Sequence, residues 1–359
     1  MACGLIRRKK RGTPAGPPGS NGNGNGSQTR PGVSPVEPLF PDGVKVLHDC
    51  PDAAVDVCFV HGLMGNRDST WTANGQSTPW PQTLLPPHLP RARILTFGYD
   101  AYVVRGSVAS KNRLMDHAAS LLNDLTNDRE ACGASARPLI FVAHSLGGLV
   151  CKEAIMRSRH HPEPHQRAVF GCVRGVVFMG TPHRGSWMAT WAKTLTSALV
   201  LAKSANGSLL KVLETDDQLL ESIHIRFSDM IRELREARRR FEIACFYEEL
   251  PLPAFGKVVS KESATLDGYV SISIRADHRN MVRFASADDT GFKRLHGELV
   301  RWASRPRSSG GQTSPSGVPE DDPGVAPVYH YGPGTHNAGT VPTSGQGQGA
   351  SGQHALGMT

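Results

Sequence analysis

Apolar positions along the chain fall into short continuous runs separated by segments of helical periodicity. Val55–Val60 (VDVCFV), Arg93–Gly98 (RILTFG), Leu139–Ala143 (LIFVA), Val173–Met179 (VRGVVFM) and Phe241–Phe246 (FEIACF) read as strands, with Lys257–Ser260 as a sixth. Runs apolar at nearly every position suit strands covered on both faces, which is the habit of parallel sheets. Between them, Ser107–Asn127 places Leu114, Ala118, Leu121, Leu122 and Leu125 on one helical face. Leu149–Arg157 continues as a helix from the third strand, and Thr290–Trp302 closes the pattern. Strands alternating with helices predict an α/β fold with a mainly parallel, doubly wound sheet.

The ends of the chain have another character. Much of the 38 Gly and 26 Pro lies in residues 12–36 and 305–359. Residues 1–38 are expected to be a disordered basic and Gly/Asn-rich segment, and 305–359 a disordered low-complexity tail. The folded domain is expected over 39–304, with a helical cap insertion at about 186–240 between the fourth and fifth strands. Trp187, Trp191, Leu195, Leu199, Val200, Leu209, Leu210 and Leu213 give that insertion its apolar positions. No run approaches the ~18 apolar residues of a membrane-spanning helix, the best being Leu195 to Ala202.

The formal charge of +8 is concentrated at the head, where Arg7, Arg8, Lys9, Lys10, Arg11 and Arg30 precede the first acid, Glu37. No basic stripe interleaved with aromatics is present, so nucleic acid is not an expected partner. Cys3 beside Arg7–Arg11 offers the two weak signals, an acyl chain and a basic patch, that together hold a protein peripherally on an anionic membrane; a solvated basic tail is the plainer reading. No apolar leader follows, so a secretory signal is not expected. Seven cysteines without close pairing suit a reducing, intracellular compartment.

The chemistry-bearing motif is Ala143-His144-Ser145-Leu146-Gly147-Gly148, set between a strand and a helix. A sharp turn there lifts the serine hydroxyl above the sheet and aims the Leu146 N–H at the reacting centre, and small flanking residues are needed to avoid clashes. Ala143 stands where glycine is usual. A serine needs a base and a group orienting that base, which in such folds follow in the order serine, acid, histidine. His278, in a loop after the last expected strand, is the expected base. Glu248, at the end of FEIACFYEE, is the expected acid, with Glu249 one residue away and Asp277 next to the histidine left as alternatives. His61-Gly62-Leu63-Met64-Gly65, after the first run, is expected to supply the Leu63 N–H as the second oxyanion donor. His160, His161 and His165 lack matched second ligands, so a solvated loop is expected there rather than a metal site; neither a metal nor a cofactor is called for. His144 and His183 read as structural.

Taken together, VCFVHGLMG (57–65), Trp71 and Trp80 in their TW and PW pairs, LLPPHLPRARILTFGYDA (84–101), FVAHSLGGLVCKEAI (141–155), VVFMGTPHRGS (176–186), FYE (246–248), VVSKESATL (258–266) and ADHRNM (276–281) resemble the lipase-like α/β-hydrolases of the serine-active-site-containing protein family. The resemblance covers about residues 40–303. Relatives of that kind also form the leading domain of fungal ankyrin and nucleotide-binding death-pathway proteins. The resemblance implies a nucleophile at Ser145, a base at His278, an acid at Glu248 and hydrolysis of lipid or phospholipid acyl esters. It also implies an association with mitochondrial or endoplasmic-reticulum membranes. A second reading is a catalytically weak signalling module assembling through its tail, where Gly334-Thr335-His336-Asn337 resembles amyloid-forming motifs of fungal death effectors.

Overall fold

A computed structural model describes residues 41–101, 110–184, 217–253 and 256–305. Cys3, Arg7–Arg11, the 186–216 part of the expected cap and the Gly334–Asn337 motif lie outside these residues. Seven strands form one sheet in the order β1-β3-β2-β4-β5-β6-β7, with β1 (Gly43–His48) antiparallel to β3 (Ala92–Gly98). The others, β2 (Val55–Val60), β4 (Leu139–His144), β5 (Val173–Met179), β6 (Glu242–Glu248) and β7 (Val270–Ile274), run parallel to their neighbours. The fold is therefore α/β and mainly parallel, as the run pattern predicts.

Two differences from the sequence expectation concern the right-hand edge. Lys257–Ser260 is not a strand but a loop, because the amides of Val258 and Val259 are taken by a side-chain carboxylate instead of a ladder. The last strand is Val270–Ile274, whose half-exposed Val-Ser-Ile-Ser-Ile alternation is that of an edge. At the other edge β1 is a strand that the apolar runs do not predict; its sequence alternates likewise and it is largely half-buried.

Alternate residues of the central strands supply two apolar layers. Cys58, Val60, Phe141 and Ala143 face one side, with α2 (Ser110–Ala131), α3 (Leu146–Arg159) and α4 (Pro164–Cys172) over them. The described part of the expected cap, α5 (Asp217–Glu236), lies on this same layer, burying Ile223, Phe227, Met230 and Leu234. Val57, Phe59, Ile140 and Val142 face the other side, against Trp71, Trp80, Phe284 and the last helix, Thr290–Ala303. The two tryptophans set edge-to-face on Phe59, at 5.0 and 5.4 Å between ring centres, and the Trp80 indole N–H donates to the Val282 carbonyl at 2.7 Å. That bond ties the segment just after His278 to the early part of the chain. The segment around His160, His161 and His165, expected as a loop, in part opens α4 (Pro164–Cys172), with Pro164 in its first turn where no amide hydrogen is needed. His160 and His165 are exposed and His161 is half-buried there.

Candidate active site

Strand order reverses on either side of β2, since β3 lies to one side and β4 to the other. The carboxyl ends of strands at such a reversal open a crevice that the connecting turns cannot fill. The turns leaving β2 and β4 meet there. Ser145 follows β4 with φ 53° and ψ −124°, a left-handed geometry that a non-glycine residue adopts only under constraint. The constraint is local packing. A Cβ on Gly147 would lie 2.3 Å from the His61 carbonyl oxygen, and one on Gly62 would lie 2.7 Å from Ser145 Cβ, so glycine is needed at both for the two turns to touch. Ala143, buried in β4 opposite Phe178, fits without displacing either.

His61 shapes the first of these turns. Its Nδ1 donates to its neighbour Gly62's carbonyl at 2.9 Å, its Nε2 accepts from the Tyr99 amide at 3.3 Å, and its ring stacks on Tyr99 at 4.3 Å. Burial pushes its pKa down to about 4, which keeps it neutral and this donor–acceptor pattern intact at ordinary pH. Leu63 and Leu146, the two residues expected to donate their amides, occupy corresponding places in the turns, Leu146 being the first residue of α3 with no intrahelical acceptor. Met64 shares the left-handed geometry, with φ 57°.

The structure brings Glu248 and His278 together. Glu248 Oε2 accepts from His278 Nδ1 at 2.5 Å, while Oε1 accepts from the amides of Val258 and Val259 at 2.5 and 3.3 Å. With Nδ1–H given to the carboxylate, the Nε2 lone pair is the one left for a proton. Glu249 is exposed and points its backbone at β7, and Asp277 spends both oxygens on the Arg279 and Asn280 amides and the Asn280 side chain. Of the three acids considered, only Glu248 reaches the imidazole. Ser145 Oγ and His278 Nε2 are both buried atoms without a hydrogen-bond partner.

His144 makes structural contacts to the His278 loop. Its Nε2 lies 3.0 Å from the His278 carbonyl oxygen, and the two rings are 4.9 Å apart. Burial, and then the neighbouring His278, hold its pKa well below the ordinary value, so it is a neutral N–H donor tying the His278 loop to the Ser145 turn. On the far side, the Ser145 amide donates to Met179 at 2.9 Å, and the next residue, Gly180 with φ 59°, lies under His278. A Cβ at Gly180 would sit 2.9 Å from His278 Cε1 and Nδ1. Gly180→Ala is therefore expected to tilt the imidazole and lower kcat about 100-fold, with KM little changed, since an ångström of misplacement costs that much. Steady-state kinetics on a small activated ester checks it; an unchanged kcat would mean that His278 position is not limiting.

Residues 56–222 match the family described as "Putative serine esterase (DUF676)". The mainly parallel sheet and its strand order are those of the α/β-hydrolase fold. Curated relatives similar to this chain include Protein SERAC1 of Homo sapiens, 26% identical over 280 residues, and of Mus musculus, 27% identical over 281. Those matches cover 69% of this chain and 39% and 40% of the relatives, so the chain spans about two fifths of their length. Among solved structures, the chain is similar to a lipase-esterase related protein from Clostridium acetobutylicum ATCC 824, with TM-score 0.39, 13% identity and coverage of 72% of this chain and 98% of that one. The NocB thioesterase domain from the nocardicin cluster gives TM-score 0.38 and 13% identity, over 73% and 98% of the respective chains.

Proposed function

We propose that the domain hydrolyses carboxylic esters of lipids through an acyl-serine intermediate on Ser145. The observation that carries this reading is the Glu248–His278 pair at 2.5 Å beside a serine held in a left-handed turn at the sheet's reversal point. As Ser145 Oγ attacks the ester carbonyl, its proton passes to His278 Nε2, and Glu248 stabilises the imidazolium that forms. Leu63 and Leu146 N–H stabilise the tetrahedral oxyanion, each such donor being worth about 3–4 kcal/mol. The imidazolium then protonates the departing alkoxide. His278 then takes a proton from water, which attacks the acyl-serine, and returns it to Ser145 Oγ as the acid leaves.

The lipid part of the reading rests on the apolar rim. Met64, next to the Leu63 donor, and Leu250, whose amide bonds the Ala276 carbonyl near His278, are 44% and 43% exposed. Large apolar side chains so placed suit an acyl chain entering the crevice. Peripheral attachment through an acylated Cys3 and Arg7–Arg11 would bring the domain to an anionic bilayer, on an intracellular face such as that of mitochondria or endoplasmic reticulum.

A fluorophosphonate probe is expected to label the full-length chain once, at Ser145, and kcat/KM for p-nitrophenyl esters is expected to rise at least about tenfold from acetate to decanoate, given ~0.8 kcal/mol per buried methylene. Labelling elsewhere would remove the serine assignment. A flat or falling chain-length series would remove the lipid assignment alone.

A further inference from the structure

Four buried side-chain polar atoms without a hydrogen-bond partner gather on the α3 side of the sheet: Lys152 Nζ, Thr181 Oγ1, His183 Nδ1 and His224 Nδ1. They form one locus. Lys152 Nζ lies 5.5 Å from the Phe178 ring centre and 5.2 Å from that of Phe227, and the His183 ring stands edge-on to Phe178 at 4.8 Å. His224 is one turn before Phe227 on α5. Thr181 packs on Gly148, one turn before Lys152 on α3, so closely that a Cβ there would meet its hydroxyl at 2.2 Å. His183 Nε2 faces Cys245 Sγ at 3.7 Å, which leaves its Nδ1 as the free ring atom.

The cluster is rich in donors and short of negative charge. Among the described residues no carboxylate pairs with Lys152. Its neighbour Glu153 is turned to Arg226 at 2.8 Å, and Asp267, the acid that acts on His224, is held by Arg184 at 2.6 Å. Lys152 and Thr181 are fully buried and His183 is 97% buried. Desolvation lowers the Lys152 pKa to about 7 and that of His224 to about 4. A buried ammonium in apolar walls is costly unless a counter-charge and acceptors reach it. Water can accept from these donors but brings no charge.

We propose that Lys152, Thr181, His183 and His224 bind the oxyanion of a phosphate group, half-buried His224 being the member nearest solvent. The ammonium and hydroxyl donate to two of its oxygens, and each imidazole donates through Nδ1–H. Inorganic phosphate and the phosphate of a phospholipid headgroup share this chemistry. The site is distinct from the Leu63 and Leu146 donors and does not depend on the chemistry of Ser145.

The test uses the full-length protein, inorganic phosphate at constant ionic strength with chloride as the control, and thermal unfolding with phosphorus NMR. Phosphate is expected to raise Tm saturably by several degrees in wild type and in Ser145→Ala. Lys152→Met keeps the stem and removes the charge, and should abolish the response. Thr181→Val, which alters one hydroxyl, should weaken apparent affinity about tenfold and covers the case in which the lysine variant fails to fold. A response to glycerophosphate-headed micelles and not to inorganic phosphate would assign the site to a headgroup. No saturable shift with either source, or an equal shift in both variants, would overturn the proposal and leave water as the occupant.

Discussion

Ser145→Ala is expected to lower kcat for an activated ester by about 10⁴–10⁶-fold, while unfolding within about 1 kcal/mol of wild type. The size follows from what the hydroxyl does: without it the imidazole has no nucleophile to activate, and only the crevice and amide donors remain. His278→Ala should cost nearly as much. Glu248→Gln should cost about 10⁴-fold for a different reason, because an amide in place of Oε2 no longer selects the Nδ1–H form of His278. Groups that act as one unit lose activity together, so Ser145→Ala combined with His278→Ala should be no slower than Ser145→Ala alone. Rates multiplying across the pair would show that the two residues act in separate steps. Glu248→Gln has a second expected outcome, since its Oε1 holds Val258 and Val259: a more mobile 257–260 loop, read by hydrogen exchange of those amides.

Those two valine amides also show where the sequence was legible and where it was not. A run buried on both faces announces a strand with its limits, and β2 and β5 begin and end where the apolar run does. Lys257–Ser260 looks like a strand for the same reason, yet its valines are buried under Glu248, a contact made by the chain returning in three dimensions. The edge strands β1 and β7 carry weaker, alternating patterns because one face meets water. In the crevice, the Ser145 turn is a local motif and reads directly. Choosing among Glu248, Glu249 and Asp277 needs the end of β6, where Glu248 is buried and the residue after the strand, Glu249, is exposed, and the turn at Asp277, which occupies both its oxygens. Lys152 gave no usable sign. In GLVCKEAIM a lysine–glutamate pair looks like the wet stripe of an amphipathic helix, whereas α3 is buried nearly all round.

A second large effect is expected at the opposite end of the sheet. Asp56→Ala should destabilise the fold by about 3–5 kcal/mol, measured by urea unfolding, the range for breaking a buried ion pair from one side. Asp56 is the one charged residue inside the β2 run and is fully buried. Its Oδ2 accepts from Arg129 at the end of α2, and its Oδ1 from Arg137 at 2.9 Å, just before β4. Arg129 also donates to the Arg137 carbonyl, so one carboxylate locks the α2–β4 connection onto β2. Removing it leaves the Arg129 guanidinium, 1% exposed, without its carboxylate and with the Arg137 carbonyl as its acceptor. Arg137 is 17% exposed and can turn to water, so Arg137→Met should cost roughly 1–2 kcal/mol. The Asp56→Ala and Arg137→Met pair should then cost less than the sum of its parts, because the second change removes a group already unpartnered. The crevice lies at the other end of β2, past Val60. Activity per folded molecule should therefore be unchanged well below Tm, and a loss of kcat at full folding would mean that strain at the strand's start travels through β2 to the Gly62 turn.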